Sequence, residues 1–365
     1  MTHYVSCTIF NGIIPHICVI FMTGYPEEYE LVAKGQVLMQ NGRLDLAISS
    51  FNEALRVNPE FATGYYYRGL AYRNTGNSDQ ALSDYDRSIS IDPDYAAAYY
   101  AKGVVLRQSG DFHQAILEYN HAIDLLPKDP DFFYARGVAH ASLSHYDQAI
   151  SDFESAISFN PNMPNALYNL GIAYRDLGNR ESAVSYYKQA IQLRPQEPDY
   201  RYALGNIYSD LGDYQEAVNE YDEAIHSVPG FANALYNRGI AKHNLGEFLS
   251  AIQDFDVSEI NGLNTTKLYM NRAISKSSIG LMDDAMSDLD RAHELDSEDE
   301  RIWQEKGKIL AQSGRLEEAI TAYNAAISVN PEYALYYDER SVIYQDMGLI
   351  DESRKDLERG NELKN

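Results

Sequence analysis

In the stretch AAAYYAKGVVLRQS, residues 96–109, apolar positions recur three and four apart, the spacing that lines one face of an α-helix. A polar break containing Gly110 follows, and glycine there allows the left-handed conformation that ends a helix. HQAILEYNHAIDLL, residues 113–126, then resumes the helical spacing until Pro127 stops it. The pattern predicts a helix, a tight turn and a second helix.

The same pattern returns every 34 residues. Gly35, Gly69, Gly103, Gly137, Gly171, Gly205 and Gly239 keep that step, as do nine alanines from Ala47 to Ala319 and the prolines from Pro59 to Pro229. Turn glycines at Gly42, Gly76, Gly110 and onward to Gly348 keep it too, broken only by Ser144. Fixed-period self-similarity marks a stacked array of one supersecondary unit. With slots numbered 1 to 34 from Glu28, ten units tile residues 28–365 without an insertion, the last two residues short. Glycine at slot 8 and alanine at slot 20 are expected where the two helices of a hairpin touch closely.

Residues 166–195, ALYNLGIAYRDLGNRESAVSYYKQAIQLRP, resemble a tetratricopeptide repeat along their whole length, with Leu167, Leu170, Gly171, Tyr174, Ala183, Tyr187, Ala190 and Pro195 in the signature slots. The resemblance extends over residues 28–365 and implies an all-α solenoid. In that fold the hairpins form a right-handed superhelix, with the first helices on its concave side, and each hairpin is stabilised by its neighbours. Arg354 and Asn361 replace the usual aliphatic residues of the second helix in the tenth unit, which predicts a polar cap. A looser joint is expected at residues 257–267. There Leu263 stands in place of proline, Glu259 and His293 are polar at slot 28, and Ala273 replaces the slot-8 glycine. The expected organisation is therefore a tail over 1–27, seven units over 28–265 and three units over 266–365.

Composition narrows the partners. The 365 residues carry a net charge of −24, from 54 acids against 30 bases, which disfavours nucleic acid and anionic membrane surfaces. Cys7 and Cys18 are the only cysteines, so no disulfide framework supports the repeats. Both lie in an apolar N-terminal stretch that is too short to span a bilayer and lacks the basic start of a signal peptide. A cytoplasmic location is expected, with export as the alternative if that stretch is a real signal.

Thirty tyrosines ask for an explanation, above all TGYYYRGLAY at residues 63–72. Successive helix side chains are about 100° apart, so Tyr65, Tyr66 and Tyr67 cannot all face the core. Slots 4, 11 and 24 are assigned to the hairpin core. Slot 5 holds Tyr66, Tyr100, Tyr134, Tyr168, Tyr202 and Tyr236 in six consecutive units. Slots 2, 5, 9 and 12 share one stripe of the first helix, which the resemblance places in the groove. Leu70, Val104, Ile172 and Asn206 join it at slot 9, and Arg73, Arg107 and Arg175 at slot 12. These thirteen residues are the candidate peptide-binding set. Three arginines against Asp131, Asp176, Asp199 and Asp210 leave the stripe near neutrality, so the global charge does not describe it.

Slot 7 is basic in eight units and slot 23 acidic in six of those, which predicts ion pairs such as Arg68 with Asp84. Asn206, Asn237 and Lys267 only partly match the clamp with which related co-chaperones grip a C-terminal carboxylate, since Tyr202 and Asn271 stand where two cations belong. An asparagine ladder at slot 6, like that of O-linked N-acetylglucosamine transferase, is interrupted by Ala101, Ala135 and Ala203. No catalytic constellation, metal-ligand spacing or phosphate loop is evident, so neither enzymatic activity, a metal nor a cofactor is expected. His140 is expected to be a buried core histidine. The reading is a non-catalytic scaffold or adaptor that binds a protein or peptide. The alternatives are an accessory subunit of an enzyme such as a glycosyltransferase, and an envelope-assembly protein.

Overall fold

The computed structural model describes residues 26–364, so the expectations for Cys7, Cys18 and the N-terminal apolar stretch lie outside the described residues. Twenty α-helices pair into ten hairpins, and the chain divides into two compact units at Pro161 and Asn162. The first unit contains α1 (Glu27–Gln40), α2 (Leu44–Val57), α3 (Ala62–Asn74), α4 (Ser78–Ile91), α5 (Ala96–Gln108), α6 (Phe112–Leu125), α7 (Pro130–Ser142) and α8 (Tyr146–Phe159). The second begins with α9 (Pro164–Asp176), α10 (Arg180–Leu193), α11 (Pro198–Leu211), α12 (Tyr214–Ser227), α13 (Ala232–Asn244) and α14 (Phe248–Ile260). It continues through α15 (Thr266–Ser278), α16 (Met282–Leu295), α17 (Glu300–Gln312), α18 (Leu316–Val329), α19 (Ala334–Asp346) and α20 (Ile350–Lys364). No helix among the described residues is long and apolar enough to cross a membrane.

The turn inside each hairpin needs a positive φ, as at Gly110 (84°). Ser144 adopts φ 59° at the equivalent place without being glycine. Its Cβ then crowds the following carbonyl, a cost of about 1–2 kcal/mol.

The slot-8 glycines serve a different contact from the one expected. A Cβ on Gly103 would lie 2.6 Å from Cε1 of Tyr119, and one on Gly171 2.6 Å from Cε1 of Tyr187. The glycine is therefore a seat for the slot-24 ring, which is fully buried at Tyr85, Tyr119, Tyr187 and Phe153. Where slot 24 shrinks to Leu289 or Leu357, slot 8 enlarges to Ala273 or Ser341. Ala273 is thus one half of a compensated pair.

Nor does the packing loosen at residues 257–267. One buried cluster runs through Phe255, Leu268, Ala273, Leu289 and Ile302, with Leu263 packed against it. The carboxylate of Glu259 accepts from the Tyr269 hydroxyl at 2.6 Å and pairs with Arg272 at 2.6 Å, while His293 meets the edge of Trp303. Polar slot-28 residues are accommodated by partners the sequence supplies elsewhere. At the C-terminus Arg354 and Asn361 are exposed on α20, as a polar cap requires.

Within each unit, first helices of successive hairpins approach one another, α1 with α3, α3 with α5 and α5 with α7, and likewise α11 with α13, α13 with α15 and α15 with α17. Second helices make no comparable approach among the described residues. The first helices therefore form the inner face of each unit.

Candidate functional site on the inner helices

All six slot-5 tyrosines are half-buried. Behind each ring stands the slot-24 ring of its own hairpin, with centroids 6.3 Å apart for Tyr66 and Tyr85, 5.9 Å for Tyr100 and Tyr119, and 5.6 Å for Tyr168 and Tyr187. Tyr134, Tyr202 and Tyr236 rest on Phe153, Tyr221 and Phe255 in the same way. A second aromatic neighbour covers one edge of four of them: Tyr95 against Tyr66, Phe132 against Tyr100, Tyr200 against Tyr168, Phe231 against Tyr202. The ladder is thus built on a rigid aromatic shelf and is half open to solvent.

The hydroxyls divide the ladder. In the second unit Asn237 Nδ2 donates to the Tyr202 hydroxyl at 3.1 Å and to Asn206 Oδ1 at 2.8 Å, and Asn271 Nδ2 donates to the Tyr236 hydroxyl at 2.8 Å. Tyr221 beneath donates to Asn206 at 2.8 Å. The slot-6 asparagines are therefore spent on slot-5 tyrosines of the preceding hairpin, and Asn206 and Asn237 are satisfied inside the protein. In the first unit the corresponding positions after Tyr66 and Tyr100 are Ala101 and Ala135, and neither hydroxyl has a hydrogen-bond partner among the described residues. Burial, followed by Tyr67, pushes the Tyr66 phenol up to about 12 against the pull of Arg73. Burial and then Asp131 push Tyr100 up to about 12. Both stay protonated donors at neutral pH.

The slot-9 residues Leu70, Val104 and Ile172 are half-buried between hairpins, Leu70 beside buried Tyr85 and Val104 beside buried Tyr119. At slot 12 the cations differ. Arg175 pairs with its neighbour Asp176 at 2.7 Å, and His243 meets Ser275 through Nδ1 at 2.9 Å. Arg73 and Arg107 form no ion pair among the described residues.

The expected slot-7 ion pairs form, and each reaches further than expected. Arg68 makes a bidentate contact with Asp84 at 2.6 and 2.8 Å, while its third nitrogen donates to Asn52 of the preceding hairpin at 2.7 Å. Arg136, Arg238, Arg272 and Arg340 repeat the clamp on both sides. Slot 7 thereby ties three helices, which equal spacing of 16 residues in either direction could have revealed. At slots 4 and 11 Tyr269 is buried as assigned, but Tyr65, Tyr72, Tyr337 and Tyr344 are less buried. Tyr65 and Tyr72 are half-buried because they sandwich the Arg68 guanidinium at 5.3 and 5.9 Å, as Tyr337 and Tyr344 sandwich Arg340. In place of this cation the fifth hairpin has buried Leu170, and Tyr174 there stacks on Tyr186. His140 is half-buried, and burial lowers its imidazole below the ordinary value.

Sequence profiles described as tetratricopeptide repeat match residues 32–96, 84–117, 164–197 and 186–219, and those described as TPR repeat match 103–144, 141–178, 205–246 and 307–348. No curated protein is detectably similar to the chain. Among solved structures, a tetratricopeptide repeat protein from Parabacteroides merdae is 21% identical with a TM-score of 0.51, covering 68% of this chain and 98% of its own. The APC/C hetero-tetramer Cut9-Hcn1 is 15% identical with a TM-score of 0.50, covering 87% and 76%. PilF of Pseudomonas aeruginosa is 20% identical with a TM-score of 0.50, covering 59% and 96%. These likenesses establish the fold.

Proposed function

Because the chain belongs to the tetratricopeptide repeat family, whose members typically mediate protein interactions, we propose that it is a non-catalytic scaffold holding a peptide segment or helix of a partner protein on its inner face. The observation that carries the reading is a row of three half-open rings in each unit, Tyr66, Tyr100 and Tyr134 in the first and Tyr168, Tyr202 and Tyr236 in the second, each held by an aromatic shelf. A ring already ordered by packing loses little freedom when a ligand covers it, and its hydroxyl can meet a peptide group at the edge of an apolar contact. Leu70, Val104 and Ile172 add aliphatic surface between the rings, which suits an extended peptide or an amphipathic helix.

The test is selection of twelve-residue peptides from a displayed library on the purified chain, followed by titration against the Tyr168→Ala/Tyr202→Ala variant. Anchors of this type are worth about 2 kcal/mol each, so affinity should fall at least about thirtyfold while circular dichroism shows the helical array still folded at the assay temperature. Unchanged affinity for every selected peptide refutes the reading.

A further inference from the structure

In the first unit the inner face collects hydrogen-bond donors with nothing to accept from them. Tyr66 and Tyr100 lack the asparagines that satisfy Tyr202 and Tyr236. Beneath them the hydroxyl of Tyr85 is fully buried and without a partner, and that of Tyr119 lies beside the guanidinium of Arg107. Tyr221 in the second unit has Asn206 as its acceptor, whereas Leu70 and Val104 occupy that position here, and Tyr187, with Ile172 there, is likewise without a partner. Arg73 and Arg107 lie one repeat apart on α3 and α5, and Tyr100 feels the charge of both.

The surrounding carboxylates are already engaged or do not reach. Asp84 is held by Arg68, and Glu118 and Asp86 by Lys102. Asp131 acts on Tyr100, yet it makes no ion pair with either arginine, and its own carboxyl is raised by desolvation and then by Asp129. The hydroxyls of Tyr66 and Tyr100 and the guanidiniums of Arg73 and Arg107 are therefore half-exposed donors that a negatively charged acceptor can use.

We propose that Tyr66, Arg73, Tyr100 and Arg107 form a carboxylate-binding site that takes paired acidic side chains of an extended peptide on the inner face of the first unit. The proposal rests on the scaffold reading above and adds the chemistry of the ligand. Charge complementarity selects the occupant: in a chain of net charge −24, these two guanidiniums form no ion pair among the described residues, on a surface of phenols and aliphatic groups with Asp131 near Tyr100. Packed neighbouring helices lie about 10 Å apart, a distance an extended chain spans in about three residues. In the polyproline II conformation residues three apart face the same way about 9 Å from each other, so acidic residues at that spacing would meet one arginine each, with the hydroxyls of Tyr66 and Tyr100 donating to the same carboxylates.

The probe is a fluorescein-labelled, C-terminally amidated peptide of sequence Leu-Glu-Ala-Leu-Glu-Ala-Leu-Glu, compared by anisotropy with its glutamine counterpart. The acidic peptide should bind at least about tenfold more tightly than the glutamine peptide, and Arg73→Gln/Arg107→Gln should abolish that difference without moving the thermal midpoint. Tyr100→Phe removes one half-exposed donor of the site and should weaken only the acidic peptide. If both peptides bind equally and the arginine variant binds as the wild type does, the carboxylate site is wrong and the scaffold reading survives. If neither binds and library selection also yields nothing, the scaffold reading fails with it. If selection yields peptides but the acidic probe does not bind, the carboxylate site alone is overturned.

Discussion

Replacing Gly103 by alanine would put a methyl group 2.6 Å from Cε1 of Tyr119, 2.9 Å from Cδ1 and 3.1 Å from Cζ. The ring cannot swing away, because Tyr119 is fully buried between its own first helix and the next hairpin. Overpacking of this kind costs about 1–3 kcal/mol. Alanine recovers about 0.5–1 kcal/mol of helix propensity, leaving a net loss of about 0.5–2 kcal/mol. The chain already contains the compensated version, Ala273 with Leu289, and the double variant Gly103→Ala/Tyr119→Leu imitates it. The single changes should therefore be non-additive, with the double variant at least about 1 kcal/mol more stable than their sum. Urea unfolding followed by circular dichroism measures the global change. Amide exchange in α5 and α6 reports locally, since a repeat array need not unfold in one step. A neutral or stabilising Gly103→Ala, or strict additivity, would refute the seat-and-ring account.

Ser144→Gly should stabilise the turn between α7 and α8 by about 1 kcal/mol, read as a rise in the urea midpoint, because it removes the Cβ from a left-handed residue. Asp288→Asn should cost about 3 kcal/mol, since buried Arg272 and Lys276 both lose their shared carboxylate, whereas Asp176→Asn at the more exposed Arg175 pair should cost under about 1 kcal/mol. Tyr221→Phe should lose about 1 kcal/mol with its bond to Asn206, while Tyr187→Phe, which removes an unpartnered hydroxyl, should be neutral or stabilising by thermal melting. Burial lowers the imidazoles of His140 and His243, so on acidification the unfolded chain binds protons first. Their contribution is complete above the unfolded value of about 6.5 and is lost as pH falls through it toward the folded values. The urea midpoint should accordingly drop from pH 7.5 to 5.5 less steeply in His140→Asn/His243→Asn, and an unchanged slope would count against it.

A 34-residue period with helical spacing inside it leaves one architecture, so the ten hairpins, their turns, the polar end and the slot-7 ion pairs were legible from residue identity alone. Periodicity works there because each of these features is local or repeats at a constant offset. The partners of a slot in the next repeat are a different matter. Whether Tyr202 is satisfied depends on Asn237, and whether Tyr66 is depends on Ala101, 35 residues away in each case. That distance becomes a contact only when two first helices pack side by side. Reading slots one at a time also made Ala273 and Glu259 look like defects, while in space Leu289 and Arg272 complete them. The sequence by itself therefore determined the repeat, its hairpins and the row of tyrosines. Only the tertiary structure decided which of those tyrosines are hydrogen-bonded within the fold and which are not, because hydrogen-bond satisfaction depends on neighbours brought together by packing.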